Sequence, residues 1–182
     1  MSLILAIEGS GPRCSVALGG AGFLLERTLE QPREHHALVL PLVAALLAEA
    51  GRHPSDLDAI AFGRGPGSFT GVRIAVAFAQ GLGFALSRPL VPVCSLHAIA
   101  LDAHCLAGGI APETHVAVAV DAHMGEVYRA LFLREGDTVR RLPGRELQTI
   151  DEPVLPADVP PESTLLSGDG WTQYPEIGRA HV

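Results

Sequence analysis

The sequence predicts a two-lobed α/β protein whose second lobe is truncated at its C-terminal end. Three observations lead there. Residues 57–62 are short and mostly apolar, as a buried strand is, and they run into a loop holding Gly63, Gly65, Pro66 and Gly67, followed by a long apolar helix over 74–86. A pattern of strand, acid, tight turn and strand opens the chain (4–7, Glu8, 9–13, 14–18) and returns at 116–120, Asp121, 122–125 and 126–133. Beyond the second pattern come only a proline-rich connector, 153–161, and one strand with its turn, 164–168, without the helices that should cover a second sheet.

The elements follow in order. Residues 3–7, 14–18 and 23–29 form a three-strand meander joined by turns at 8–13 and 19–22. Residues 34–50 read as a helix closed by Gly51, with Pro41 kinking it or shifting its start. This helix is unusually apolar, carrying Leu38, Val39, Leu40, Leu42, Val43, Leu46 and Leu47. In the central loop, glycines at 63, 65 and 67 with Pro66 mark unusual backbone angles or close backbone approach, and Ser68 and Thr70 can cap the next helix. Every residue from Ile74 to Ala79 is apolar, and a helix apolar all round is buried all round. One face belongs on the strand at 57–62. The small residues Ala75, Ala77, Ala79, Gly81 and Gly83 would admit another helix closely, so the other face is either core or covered by a partner. A strand at 90–93 and a helix at 95–106 complete the first lobe, 1–107. Residues 108–112 read as a hinge, and the partial second lobe spans 113–176 with a third strand within 138–149. The last six residues, 177–182, read as a non-native tail resembling a translated sequencing adapter; a native stop codon after Val182 would overturn that expectation.

Composition excludes several classes. With 182 residues, 48% hydrophobic, the chain can bury a real core and is not a disordered segment. A net charge of −7 with scattered arginines argues against gripping nucleic acid alone. Three cysteines, Cys14, Cys94 and Cys105, form no CxxC pair and suit a reducing cytosol. The start has no basic region before its apolar run, which Glu8 interrupts, so it reads as a strand and not a signal peptide. The longest apolar stretch, 72–86, falls short of the roughly 20 residues of a membrane span and is interrupted by Arg73 and Gln80.

Several sites compete with blander readings. A glycine loop before a helix can cradle phosphate. Here no Lys follows the last glycine, no lysine occurs anywhere, and no ordered GxGxxG is present, so a structural turn is preferred for Gly63, Gly65, Pro66, Gly67, Ser68, Thr70 and Gly71. His35, His36, His97, His104, His115 and His123 show neither HExxH nor HxxxH spacing, and no metal is expected. Glu8 and Asp121 stand at strand ends, where a phosphotransferase would hold magnesium or activate water. Turn-capping acids are the preferred reading. Ser10, Ser15 and Ser68 lie in no GxSxG elbow, and Cys14 sits on a buried strand where a thiol is inert.

The stretch 63–75, GRGPGSFTGVRIA, resembles the TsaB family, the non-catalytic dimerisation subunits of the bacterial tRNA threonylcarbamoyladenosine machinery. The resemblance extends through Ile4-Leu5-Ala6-Ile7, Cys14-Ser15-Val16-Ala17-Leu18, Pro32-Arg33-Glu34-His35 and residues 121–128, DAHMGEVY, and covers about residues 3–175. It implies the actin-like fold of sugar kinases and heat-shock chaperones, and several tens of further residues completing both lobes. It also implies a cytoplasmic scaffold with no cofactor and no transferase chemistry of its own. The partner would be a TsaD-like catalytic subunit acting on the tRNA adenosine next to the anticodon. A TsaE-like ATPase is the implied third partner, and a homodimer is the alternative when the catalytic subunit is absent. TsaD-like chains carry a paired-histidine metal motif that this one lacks. Where the relatives have Asp, this chain has Glu8 followed by Gly9, which weakens a magnesium role. The expected partner face comprises Leu38, Val39, Leu42, Val43, Arg73, Val76, Ala77 and Gln80. The runner-up function is a small actin-like ATPase or phosphotransferase using Glu8, the 65–71 loop and Asp121.

Overall fold

The computed structural model describes residues 2–20, 22–29, 35–107, 114–152, 154–157, 159–160 and 163–178, with the side chains at 35–37 and 178 outside the description. The Pro32-Arg33-Glu34 motif, the whole of the expected hinge, parts of the proline-rich connector and residues 179–182 therefore lie outside the described residues. Two compact units emerge, Met1–Cys94 and Ser95–Val182.

The first unit is built on a five-stranded sheet of order β3-β2-β1-β4-β5. Strands β1 (Ile4–Glu8), β2 (Cys14–Gly20) and β3 (Phe23–Leu29) form the antiparallel meander. Strands β4 (Ala59–Gly63) and β5 (Leu90–Val93) continue the sheet in parallel with β1. The alternation of β1 and β2 puts Leu5, Ile7, Val16 and Leu18 on one face, all fully buried. Helices α1 (His35–Glu49) and α2 (Phe69–Leu86) cover that face, α1 against β2 and β3 and α2 against β4 and β1. Pro41 is accommodated inside α1.

Helix α2 begins five residues earlier than the expected helix start. Ser68 is its N-cap, with its Oγ accepting the Gly71 N–H at 3.3 Å. Thr70, the other proposed cap, is already inside the helix. Starting at Phe69, α2 is 18 residues long, and by length and composition alone it is apolar enough to cross a membrane, unlike the 72–86 stretch. In this unit it is a sheet-covering helix. Its fully buried residues are Gly71, Ala75, Ala79 and Gly83, four apart, and they form the stripe against the sheet. The small residues thus bring α2 close to its own strands, which corrects the expectation that they all await a second helix.

The second unit repeats the plan. Its sheet has the order β10-β6-β7-β8, with β9 paired to β7. Strands β6 (His115–His123) and β7 (Glu126–Glu135) form an antiparallel hairpin, and β10 (Thr164–Ser167) runs parallel to β6 as β4 does to β1. The expected strand within 138–149 is two strands, β8 (Thr138–Arg141) and β9 (Leu147–Thr149). After β10 the chain enters a short helix, α4 (Gly170–Gln173), as β4 leads into α2. This is the duplicated α/β architecture that the actin-like resemblance implied.

Both faces of this second sheet are covered. Helix α3 (Ser95–Leu106) packs on β6, β7, β8 and β10, with the His97 ring tilted against Phe132, centroids 5.2 Å apart. The opposite face carries Ala117, Ala119, Val127 and Leu131, and Val154, Leu155, Val159, Trp171 and Ile177 pack there. The indole N–H of Trp171 donates to the carbonyls of Ala117 and Ser167. An uncovered second sheet was expected because α3 had been grouped with the first lobe. The expected lobes, 1–107 and 113–176, thus divide the chain at a different place from the compact units. Ile177, assigned to a foreign tail, is 1% exposed, and its carbonyl accepts the Val154 N–H at 3.1 Å.

Candidate partner interface

The first unit presents a broad apolar surface on the outer side of α1 and α2. On α2 the exposed residues are Phe69, Thr70, Arg73, Ala77, Gln80, Gly81, Phe84 and Ala85. Their three- and four-residue steps define one stripe along the helix. Phe84 is 91% exposed and Phe69 69%, and contiguous exposed apolar surface of this kind marks interaction sites. On neighbouring α1, Leu40 is 48% exposed, and Pro41, Ala44, Ala45 and Ala48 are exposed beside it. At the start of α2 the Arg73 guanidinium lies 3.7 Å over the Phe69 ring.

Of the residues expected on this face, Arg73, Ala77 and Gln80 are exposed, and Leu38, Leu42 and Val76 are half-buried. Val39 and Val43 are not on it. They are 0% and 5% exposed and belong to the core that α1 forms on β2 and β3. An apolar helix carries no periodic signal to separate its two sides, so the sequence could not assign them. Leu40 and Phe84 were missed for the same reason, and Phe69 because the helix was expected to start only at residue 74. A helix started at residue 69 would have shown the stripe through Phe69, Arg73, Ala77, Gln80 and Phe84.

The glycine loop lies at the start of α2 and is filled by its own chain. The Ser68 N–H donates to the Ser10 carbonyl at 2.6 Å, and the Gly71 N–H is held by Ser68. A Cβ on Gly71 would stand 1.8 Å from the Gly9 carbonyl oxygen, and one on Gly67 (φ +149) would stand 2.3 Å from the Ser10 carbonyl oxygen. Two amides that would face a phosphate are thus used within the chain, and backbone occupies the approach. Gly63 is similarly close to the Glu8 carboxylate, where a Cβ would fall 2.0 Å from its oxygen. Glu8 in turn accepts the Ser10 N–H at 2.5 Å. In the second unit, Gly168 and Gly170 press against the Ala119 backbone in the same manner.

Asp121 is also an internal anchor. Its carboxylate accepts the His123 N–H at 2.8 Å and the Tyr174 hydroxyl at 3.0 Å, and the His123 ring lies 3.0 Å away. Its own N–H donates to Asp169. These bonds brace a hairpin in which His123 and Met124, neither of them glycine, have φ of +65 and +56. Partial desolvation pushes the Asp121 carboxyl up, but the bonds from His123 and Tyr174 together outweigh it, and the group sits below the ordinary 3.8. A depressed folded value stabilises above the unfolded value and fails as pH falls through the folded one. Asp121→Asn is therefore expected to lower the melting temperature by a few degrees near neutrality. The difference from the parent should shrink as pH falls below the ordinary 3.8 and through the depressed folded value, as melting curves across pH would show. Among the described residues no group of three or more His, Cys, Asp or Glu could hold a metal ion. Burial, then the Glu8 charge, raises the Cys14 thiol, which keeps it protonated and unreactive.

A family model for TsaD, tRNA N6-adenosine threonylcarbamoyltransferase, matches residues 24–176. The likeness to an individual TsaD is local: that of Nitratidesulfovibrio vulgaris is 46% identical over 81 residues, 44% of this chain and 21% of the relative. The tRNA threonylcarbamoyladenosine biosynthesis protein TsaB of Escherichia coli is 37% identical across 97% of this chain and 75% of its own length. The chain belongs to the TsaB family. Among solved structures, YeaZ from Pseudomonas aeruginosa is 37% identical with a TM-score of 0.87, over all of this chain and 83% of that one. The TsaB likeness spans both units.

Proposed function

We propose that the chain is a cytoplasmic, non-catalytic scaffold in tRNA threonylcarbamoyladenosine biosynthesis. It pairs with a TsaD-like transferase through α1 and α2 and supports transfer of the threonylcarbamoyl group to the tRNA adenosine next to the anticodon. The observation that carries this reading is the TsaB likeness over 97% of the chain. The exposed α1–α2 face supports the pairing. The bonded states of Glu8 and Asp121, and the backbone-filled glycine loop, support the absence of phosphotransfer chemistry and weigh against the ATPase alternative. A TsaE-like ATPase is the third member, and a homodimer through the same face competes when the transferase is absent.

Reconstitution tests this function. A TsaD-like subunit, with its TsaE-like partner, substrate adenylate and tRNA, is expected to modify tRNA only when this chain is added. Asp121→Asn should support transfer as the parent does, after allowance for its folded fraction. Full transfer without the chain, or magnesium-dependent ATP turnover by the chain alone that Asp121→Asn abolishes, would contradict the proposal.

A further inference from the structure

Among the described residues, β3 and β5 are the two edges of the first unit's sheet, and they are built differently. Strand β3 presents Glu26 and Arg27 to solvent, charges that discourage a further strand. Strand β5 carries no charge. It reads Leu90-Val91-Pro92-Val93, with Leu90 36% and Val91 43% exposed and Pro92 exposed beside them. Leu90 also lies close under α2: a Cβ on Gly83 would stand 2.6 Å from its Cδ2, so the strand is held in place. A fixed, uncharged, apolar edge is a template for any extended segment, and a second copy of the same strand matches it in length and character.

The ladder between β4 and β5 shows which main-chain groups that edge offers. The two strands run parallel, with Ile60 opposite Leu90 and Phe62 opposite Pro92. The Ile60 N–H donates to the Pro89 carbonyl at 3.0 Å, and the Arg64 N–H to the Val93 carbonyl at 2.9 Å. Alternate residues of a strand point their N–H and C=O to opposite sides. Residues 89, 91 and 93 therefore face β4, and Leu90 and Pro92 face outward.

Proline has no N–H, so at position 92 it takes nothing from the β4 ladder and removes a donor from the open side alone. Two copies meeting antiparallel about Val91 would set Leu90 of each against Pro92 of the other. With an N–H at position 92, each such pair would exchange both of its hydrogen bonds. Proline removes half of them, and its ring fills the space into which the facing carbonyl must come. We propose that Pro92 guards the β5 edge: it keeps a second copy of this chain from extending the sheet there and leaves the β4–β5 ladder intact. The inference concerns a main-chain edge and does not depend on what covers the α1–α2 face.

The test is self-association of the whole chain by sedimentation over a range of concentrations, together with amide hydrogen exchange read residue by residue. In the parent, the Leu90 amide should exchange fast, because no strand lies beside it. Pro92→Ala restores the N–H with less apolar surface than proline has, so any gain in association comes from the main chain. It is expected to tighten self-association about tenfold or more. Pro92→Val, whose side chain suits a strand better, should gain more. Pro92→Lys restores the same N–H but sets a charge on the edge, and should stay near the parent. In the Pro92→Ala and Pro92→Val assemblies the Leu90 amide should become protected, which locates the contact at β5. Dichroism confirms that each variant is folded. Folded Pro92→Ala and Pro92→Val chains that associate no more than the parent would overturn the inference. So would stronger association without protection of the Leu90 amide, or a Leu90 amide already protected in the parent, a result that needs no variant to fold.

Discussion

Gly71→Ala is expected to destabilise the first unit by about 3 kcal/mol or more, at the upper end for overpacking. The added methyl would sit 1.8 Å from the Gly9 carbonyl oxygen, which is backbone and cannot rotate away. Relief requires α2 to lift from β1, which would also strain the Ser68–Ser10 hydrogen bond and the Gly71, Ala75, Ala79 and Gly83 stripe. Whole domains are stable by only about 5–15 kcal/mol, so a large share of the unit's stability is at stake. Gly81→Ala provides the control. It lies on the same helix with nothing within 4 Å of an added Cβ, and helix propensity favours Ala there by about 1 kcal/mol. Urea unfolding of the two variants should move the midpoint in opposite directions. Equal midpoints would show that α2 does not rest on β1 as closely as described.

Ala77→Asp is expected to reduce affinity for a TsaD-like subunit by at least about 100-fold while leaving the fold intact. Ala77 is exposed in the centre of the α2 stripe, between Arg73 and Gln80, so the free chain keeps the new carboxylate in water. Covering it by an apolar surface would strand a charge. The loss should be far smaller for Ala6→Ser, on β1 away from α1 and α2. Val76→Asp is a weaker test of the same face, because Val76 is half-buried and its replacement also disturbs packing within the chain.

The opening three-strand meander and the glycine loop were legible because each has a local cause. Alternation in β1 and β2, the punctuation at 63–67 and the repeated strand–acid–turn–strand pattern each lie within a few residues. The start of α2 was misplaced because Gly71 looks like loop composition, whereas its lack of a side chain is what lets the helix touch Gly9. Sidedness was illegible in α1 and α2. When nearly every residue is apolar, Val39 against the sheet and Leu40 towards solvent look alike. The Asp121–Tyr174 bond joins residues 53 apart and leaves no local trace. The place of α3 depended on which sheet it covers, which the sequence order of strand and helix does not reveal.

The most direct measurement is light scattering after gel filtration of the chain with its TsaD-like subunit. The account predicts one folded one-to-one complex with the parent chain and separate species with Ala77→Asp. A folded parent chain that elutes apart from the subunit, or an Ala77→Asp chain that still co-elutes at full stoichiometry, would contradict it.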